Sequence, residues 1–327
     1  MALAVLILLA LAQSTAPPAA RPTAPPAREI AAGTFLLPGA ILPERGPDGN
    51  TVVFVAPAGL VVVDTGRHPW HSDGILAFAA ARRAPIAAIV NTHWHLDHSS
   101  GNGRVKAAHP KAPVYATAAV VAAIAPEGFL ARNLAAAKAA PIDPTMPAVR
   151  SEERALFLAT MAAAADLRPD VTVTQSGAMT LAGRPLAVRV AANAVTAADI
   201  WLYDETTRVA VLGDLVTLPA PFFETACSTR WDAALDEVWA TPFALAVPGH
   251  GAPMTRPQFD TYRQAFRGFR ACVAADTAAE TCAEAWTRGI GPLLSTDEEQ
   301  RDAATYAAYY VDFLRKGGGA GPGCEAQ

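Results

Sequence analysis

Short β-branched runs and longer alanine-rich stretches alternate along the chain, and their order predicts strands, helices, strands and helices again. Thr51–Val55 and Leu60–Asp64 are apolar runs parted by Ala56-Pro57-Ala58-Gly59, a turn composition, and read as a hairpin. Asp73–Arg83 reads as a helix, Ile86–Val90 as an apolar strand and Ala112–Tyr115 as a further short strand. From Thr117 to Ala165 alanine dominates, with breaks at Pro126, Pro141, Pro144 and Pro147, which predicts two or three inserted helices. Strand signals resume at Val171–Thr174, Leu186–Val190, Ile200–Tyr203 and Val209–Leu212, and the turns between them predict antiparallel hairpins. A helix over Trp231–Trp239 leads into the strand Phe243–Val247, and Arg256–Ala275 and Thr296–Lys316 read as closing helices. In the last of these, Ser295 or Thr296 with Glu298 or Glu299 forms a capping box, and Tyr306, Tyr310, Phe313 and Leu314 share a face that reads as core packing. No internal repeat is visible, although the order of elements suits a duplicated α/β half.

Composition narrows the class. With 327 residues and 52% hydrophobic content the chain can bury a large core, while 17% charged residues and a net charge of −4 leave no basic stripe for nucleic acid. Met1–Ala12 is too short for a transmembrane span but has the length of a signal-peptide apolar region, with Ala10-Leu11-Ala12 as the cleavage site. Export to the periplasm or beyond is expected, with no stable membrane insertion after leader removal. No Lys or Arg precedes the apolar run, which keeps a tethered form open. Residues 13–28, rich in Pro and Ala, read as a spacer before a domain over 29–327, with 117–165 as its helical insert and 255–327 as its C-terminal helical region. Cys227, Cys272, Cys282 and Cys324 contain no Cys-x-x-Cys pair; an even count in an exported chain favours disulfides, Cys272 with Cys282 first among three connectivities, against four buried thiols.

The chemistry gathers in Asn91-Thr92-His93-Trp94-His95-Leu96-Asp97-His98, where three imidazoles and a carboxylate occupy six consecutive positions after an apolar strand. Imidazole nitrogen and carboxylate oxygen are donors that zinc and similar cations prefer, and His-x-His on a tight turn can aim both rings at one ion. Three other apolar runs end in polar residues: Leu60–Val63 in Asp64-Thr65-Gly66, Val209–Leu212 in Gly213-Asp214, and Phe243–Val247 in Pro248-Gly249-His250-Gly251. Singly, Asp64 reads as a turn-former, Asp214 as a helix cap and His250 as a turn histidine. Together, four such strand ends imply one composite site.

From about Thr34 to Gly251 the chain resembles the metallo-β-lactamase superfamily of metal-dependent hydrolases. His93-x-His95-x-Asp97-His98, Asp64, Gly213-Asp214 and Pro248-Gly249-His250-Gly251 are similar to its motifs residue by residue. The resemblance implies an α/β fold of αββα sandwich type with metals at one edge of its two sheets. It assigns His93 and His95 to one metal site, Asp97, His98 and His250 to a second, Asp214 to both, Asp64 to shaping the site and Asp97 to orienting the nucleophile. One or two zinc ions are expected, with iron or manganese as alternatives. Members with two full sites carry a further histidine in a Gly-His-Thr-like turn about twenty residues before the bridging Asp. Asn193 stands 21 residues before Asp214, and its amide would be a weak ligand replacing that histidine. The implied activity is attack of a metal-bound hydroxide on an ester, thioester, lactone or amide carbonyl of a small-molecule substrate. A β-lactamase and a catalytically reduced metal- or ligand-binding protein stand as alternatives.

Overall fold

In the first β-hairpin every central residue is buried, yet alternate side chains enter different cores. Val52, Phe54, Val61 and Val63 pack with Val188, Leu202 and Val211 of a second sheet, whereas Val53, Leu60 and Val62 pack with Ile75 and Ala79 of a helix. Period-two alternation with both faces apolar is what a sheet buried on both sides requires. The computed structural model, which describes residues 22–324 except 142, 144 and 276, is thus a four-layer αββα sandwich. The expected leader lies outside the described residues.

The first sheet runs in sequence order through β1 (Arg28–Ala31), β2 (Thr34–Leu37), β3 (Thr51–Ala56), β4 (Gly59–Val63), β5 (Ile86–Val90), β6 (Val114–Ala116) and β7 (Val171–Thr172). It is antiparallel as far as β4 and parallel from β4 to β7. The helix α1 (Pro69–Arg82) crosses from β4 to β5, and α2 (Leu96–Ser99) and α3 (Asn102–Ala108) follow β5. The insert contributes α4 (Ala119–Ile124), α5 (Phe129–Ala139) and α6 (Ala148–Ala162). The second sheet comprises β8 (Gly177–Leu181), β9 (Arg184–Ala192), β10 (Ala198–Asp204), β11 (Val209–Thr217), β12 (Leu245–His250) and β13 (Met254–Thr255). Only its β11–β12 pair is parallel, joined through α7 (Ser228–Ala240). Three long helices, α8 (Arg256–Ala274), α9 (Ala279–Ile290) and α10 (Asp297–Lys316), complete the described chain.

Several expectations change. Val171–Thr172 is no hairpin partner: the insert is a crossover, which returns the chain parallel to β6 at the edge of the first sheet. β1, β2 and β8 carry no clear signal in the sequence, because Arg-Glu-Ile-Ala, Thr-Phe-Leu-Leu and Gly-Ala-Met-Thr-Leu are too short or too poor in β-branched residues to stand out. Ala119–Ala139 is apolar enough by composition to span a membrane, but it is two helices, with Val120, Ala123 and Leu130 packed against Trp94 and Leu96.

The insert is also clasped by charge. Glu153 of α6 accepts from the Gly46 amide at 3.1 Å and Arg67 Nε at 3.2 Å, and lies 2.8 Å from His68 Nε2, whose Nδ1 lies 2.8 Å from Asp48. Burial works against the Glu153 charge, but His68, Gly46 and Arg67 hold its carboxyl below the ordinary range. On the opposite side an aromatic core holds α8 to α10 against α7 and the second sheet. Phe223, fully buried, packs its ring 5.4 Å from Trp231 and 5.9 Å from both Phe266 and Phe269. The Thr296–Glu299 capping box forms. Two disulfides, Cys272–Cys282 and Cys227–Cys324, staple this region; bonds of this kind belong to oxidising, exported surroundings. Phe223→Ala should destabilise the protein by about 3–5 kcal/mol through loss of buried area and the cavity left behind, read from the urea midpoint; a change under about 1 kcal/mol would place the stabilising core elsewhere.

Candidate metal centre

The four polar strand ends meet at one edge of the sandwich, where β4, β5, β11 and β12 lie side by side within their sheets and the sheets face each other. The chain packs closely there and needs glycine to do so. Gly213 adopts φ +52°, and a Cβ on it would crowd the Thr92 side chain; a Cβ on Gly249 would overlap Asp214 Oδ1. The sheets are bolted across this edge by Asn50, which donates to the carbonyls of Pro248 and Gly251 at 2.9 Å each, and by the Ile200 amide, which donates to the Thr92 carbonyl at 2.6 Å.

Six predicted residues form two overlapping groups. Asp97, His98, Asp214 and His250 make one, and His93, His95 and Asp214 the other, with donor atoms inside each group all within 4.8 Å of one another. In the first, His250 Nε2 is 2.9 Å from Asp97 Oδ2 and 3.3 Å from His98 Nε2, and Asp214 Oδ1 is 3.1 Å from His98 Nε2. In the second, Asp214 Oδ2 lies 3.6 Å from His93 Nε2 and 4.0 Å from His95 Nδ1. Asp214 therefore offers one oxygen to each group.

Hydrogen bonds fix which ring nitrogen each histidine presents. Asp64, buried at the end of β4, accepts from the Thr92 amide at 2.8 Å, the Thr92 hydroxyl at 2.7 Å and His98 Nδ1 at 2.8 Å. His98 Nδ1 is then the protonated nitrogen, and Nε2 is left to face the group. Because the Thr92 hydroxyl spends its proton on Asp64, it accepts from His93 Nδ1 at 3.0 Å, leaving His93 Nε2 as the inward lone pair. Thr225 does the same for His95: its hydroxyl donates to the Val195 carbonyl at 2.8 Å and accepts from His95 Nε2 at 3.0 Å, which leaves Nδ1 free. Thr92 precedes the motif directly, so its place in the site is open to a reading of the sequence, whereas no sequence signal marks Thr225.

The donor atoms of these rings and carboxylates converge. His93 Nε2 is buried without a hydrogen-bond partner and Asp214 Oδ1 has only His98 Nε2 at 3.1 Å, a costly arrangement that a cation resolves. Charge balance agrees. Burial drives His93 well below the usual imidazole range and His95 down to about 4, so both are neutral, ligating forms. Burial opposes charge at His98 and His250 too, but Asp214 and Asp97 outweigh it and raise both. Asp97 and Asp214 are correspondingly held below the carboxylate range against burial, Asp97 chiefly by His98 and His250 and Asp214 by His98, His250 and His93. Carboxylates that hold a proton on these rings would equally hold a divalent ion in its place.

Asn193 is not hydrogen-bonded to this cluster. It opens the β9–β10 turn with φ +52°, donates its backbone N–H to the Ala197 carbonyl at 2.9 Å and does not line the cleft beside the cluster. Among the described residues its side chain makes no hydrogen bond to the site, whereas the Val195 carbonyl of the same turn is linked to His95 through the Thr225 hydroxyl. Asp199, at the start of β10, accepts from the Val195 and Thr196 amides and the Thr196 hydroxyl, and its burial pushes its carboxyl up to about 7.

A model of the metallo-beta-lactamase superfamily matches residues 45–250, more than half of the chain. The chain belongs to that superfamily. Among curated proteins none matches the sequence. Among solved structures, a metallo-beta-lactamase family protein from Thermus thermophilus superposes with a TM-score of 0.58 at 17% identity, covering 89% of this chain and 95% of that one. A metallo-beta-lactamase from Pontibacter korlensis gives 0.53 at 18% identity, covering 74% and 98%. At these identities the likeness concerns the fold. Superfamily fold and candidate ligand groups together support a metal-dependent, hydrolase-like function.

Asp64→Asn should weaken metal binding about 10- to 100-fold while the protein still folds, because the ligands lose the acceptor that orients His98 directly and His93 through Thr92. Competition with a chromogenic chelator measures it, and unchanged affinity would remove Asp64 from any orienting role. Asn193→His is expected to leave the number of bound metal ions per chain unchanged in elemental analysis; an extra equivalent would show that the turn reaches His93 and His95 after all.

Proposed function

We propose that the chain is an exported, metal-dependent hydrolase that cleaves an ester, thioester, lactone or amide carbonyl of a small molecule, with zinc as its metal. The observation that carries this reading is the convergence of four imidazoles and two carboxylates, with His93 Nε2 buried and partnerless among them, beside a 740 Å³ cleft lined by His95, Asp97, Asp214 and His250. Cleft volumes of this size suit small-molecule substrates. Asp97, His98, Asp214 and His250 would hold one ion as a complete set; His93, His95 and Asp214 would hold a second more weakly, having three donors instead of four. A bound divalent ion supplies Lewis acidity toward the carbonyl oxygen and makes water acidic enough to serve as a nucleophile near neutral pH.

The protein's part is orientation and exclusion. Asp97, on the cleft side of the group with its carboxyl held ionised, accepts a hydrogen bond from the attacking water and fixes its direction. Asp64, Thr92 and Thr225 keep the three motif imidazoles in the tautomers that present lone pairs inward. Trp94 and Phe222, whose rings lie 4.7 and 5.2 Å from that of His95, shield the floor from bulk water.

Purified protein reconstituted with zinc should retain about one to two ions per chain in native mass spectrometry. His98→Ala and His250→Ala should remove metal more completely than His93→Ala, since they break the fuller set. Chelation should abolish hydrolysis of activated esters or lactones, with recovery on adding the metal back. No retained ion with zinc, iron or manganese would defeat the proposal; retained ions with no turnover across ester, lactone, thioester and β-lactam panels would favour a binding protein.

A further inference from the structure

Two aromatic runs diverge from the His95 ring. One passes through Trp94 to Phe129, with centroids 4.7 and then 5.6 Å apart; the other passes through Phe222 to Tyr310, 5.2 and then 6.3 Å apart. The first belongs to the motif and the insert, the second to the loop after β11 and to α10, which lies beyond the superfamily-matched residues 45–250. The cleft that holds the metal groups is lined also by Leu130 and Phe157 of the insert and by Tyr306 and Tyr309 of α10, with Arg45, Arg67, Glu224 and Asp302 as its charged lining. The face of α10 expected to be core divides. Tyr310 and Leu314 are buried, but Tyr306 is 49% exposed and Tyr309 50%, both bordering the cleft. Tyr309 is fixed there by its hydroxyl, which donates to Glu224 Oε1 at 3.1 Å, beside the Thr225 that contacts His95.

Two tyrosines left open to water on the α10 side of a cleft, together with a half-buried Phe157 on the insert, raise the free energy of the free protein relative to one whose cleft is filled by apolar matter. The wall starts at a metal-facing imidazole, so whatever fills it is joined to the group reacting on the floor. We infer that the substrate's carbonyl carries an uncharged alkyl or aryl tail, seated between Phe157 of the insert and Tyr306 of the C-terminal helix. This rests on the hydrolase reading for the carbonyl, while the tail site stands on the walls alone. α10 is thereby a specificity element that this chain adds to the superfamily domain.

The test separates the two. Calorimetric titration with straight-chain alcohols, which need no turnover, should show affinity rising about threefold per methylene from butan-1-ol to octan-1-ol, the increment of a largely buried CH₂. Phe157→Ser and Tyr306→Ser, each checked for folding by circular dichroism, should cut that increment to less than about twofold. In the metal-loaded protein, kcat/KM for p-nitrophenyl esters should climb from acetate to octanoate, and the same variants should flatten the climb. If octanol binds no more tightly than butanol, or if both variants retain the native increment, the tail site is wrong. Length-dependent alcohol binding without hydrolysis of any ester would uphold the tail site and overturn the hydrolase reading.

Discussion

The site depends on one buried carboxylate. Asp64 sits at the end of β4 in a left-handed conformation, φ +62°, that aspartate enters more readily than most non-glycine residues. Its oxygens receive the Thr92 amide, the Thr92 hydroxyl and His98 Nδ1, so one residue joins neighbouring parallel strands and sets two imidazoles. The sandwich supplies the rest of the geometry. The parallel pairs β4–β5 and β11–β12 deliver their C-terminal ends to the same edge, where loops leave the sheet carrying polar side chains that the flanking strands hold in place.

Much of this is legible in the chain because it is local. The His-x-His-x-Asp-His segment, the strand before it and the hairpin before that each carry their signal within a few residues, and Ile86–Val90 is reproduced to the residue. The grouping of His93, His95, Asp97, His98, Asp214 and His250 follows from strand order, which the motif spacing implies. Relationships that arise only in space are less visible. Nothing near Thr225 in sequence marks it as a partner of His95, 130 positions away, and nothing near Glu153 marks it as the residue that clasps His68. Asn193 shows the limit of counting residues: spacing locates a turn, but the turn's link to His95 runs through the Val195 carbonyl and the Thr225 hydroxyl.

The aromatic face of α10 shows another limit. Heptad-like spacing places Tyr306, Tyr310 and Phe313 together, yet the neighbouring surface decides which are covered. Phe222 and Phe223 approach Tyr310 to 6.3 and 5.4 Å, while Tyr306, a turn earlier, meets the open cleft. A side chain at the margin of a core and one at the mouth of a cleft satisfy the same periodicity.

The two walls of that cleft are fastened by different forces. On the insert side Arg45, Arg67 and His68 grip Glu153, and Arg45 also reaches the exposed Glu152; such contacts weaken as mobile ions crowd their outer members. On the α10 side the fastening is an apolar core together with the Cys227–Cys324 bond, which closes just after the loop that touches His95. The insert wall also rests on Val120, Ala123 and Leu130 against Trp94 and Leu96. The opening between the walls is therefore asymmetric in kind: one jaw joins a largely buried charge cluster to an apolar core, and the other joins a covalent bond to an aromatic one.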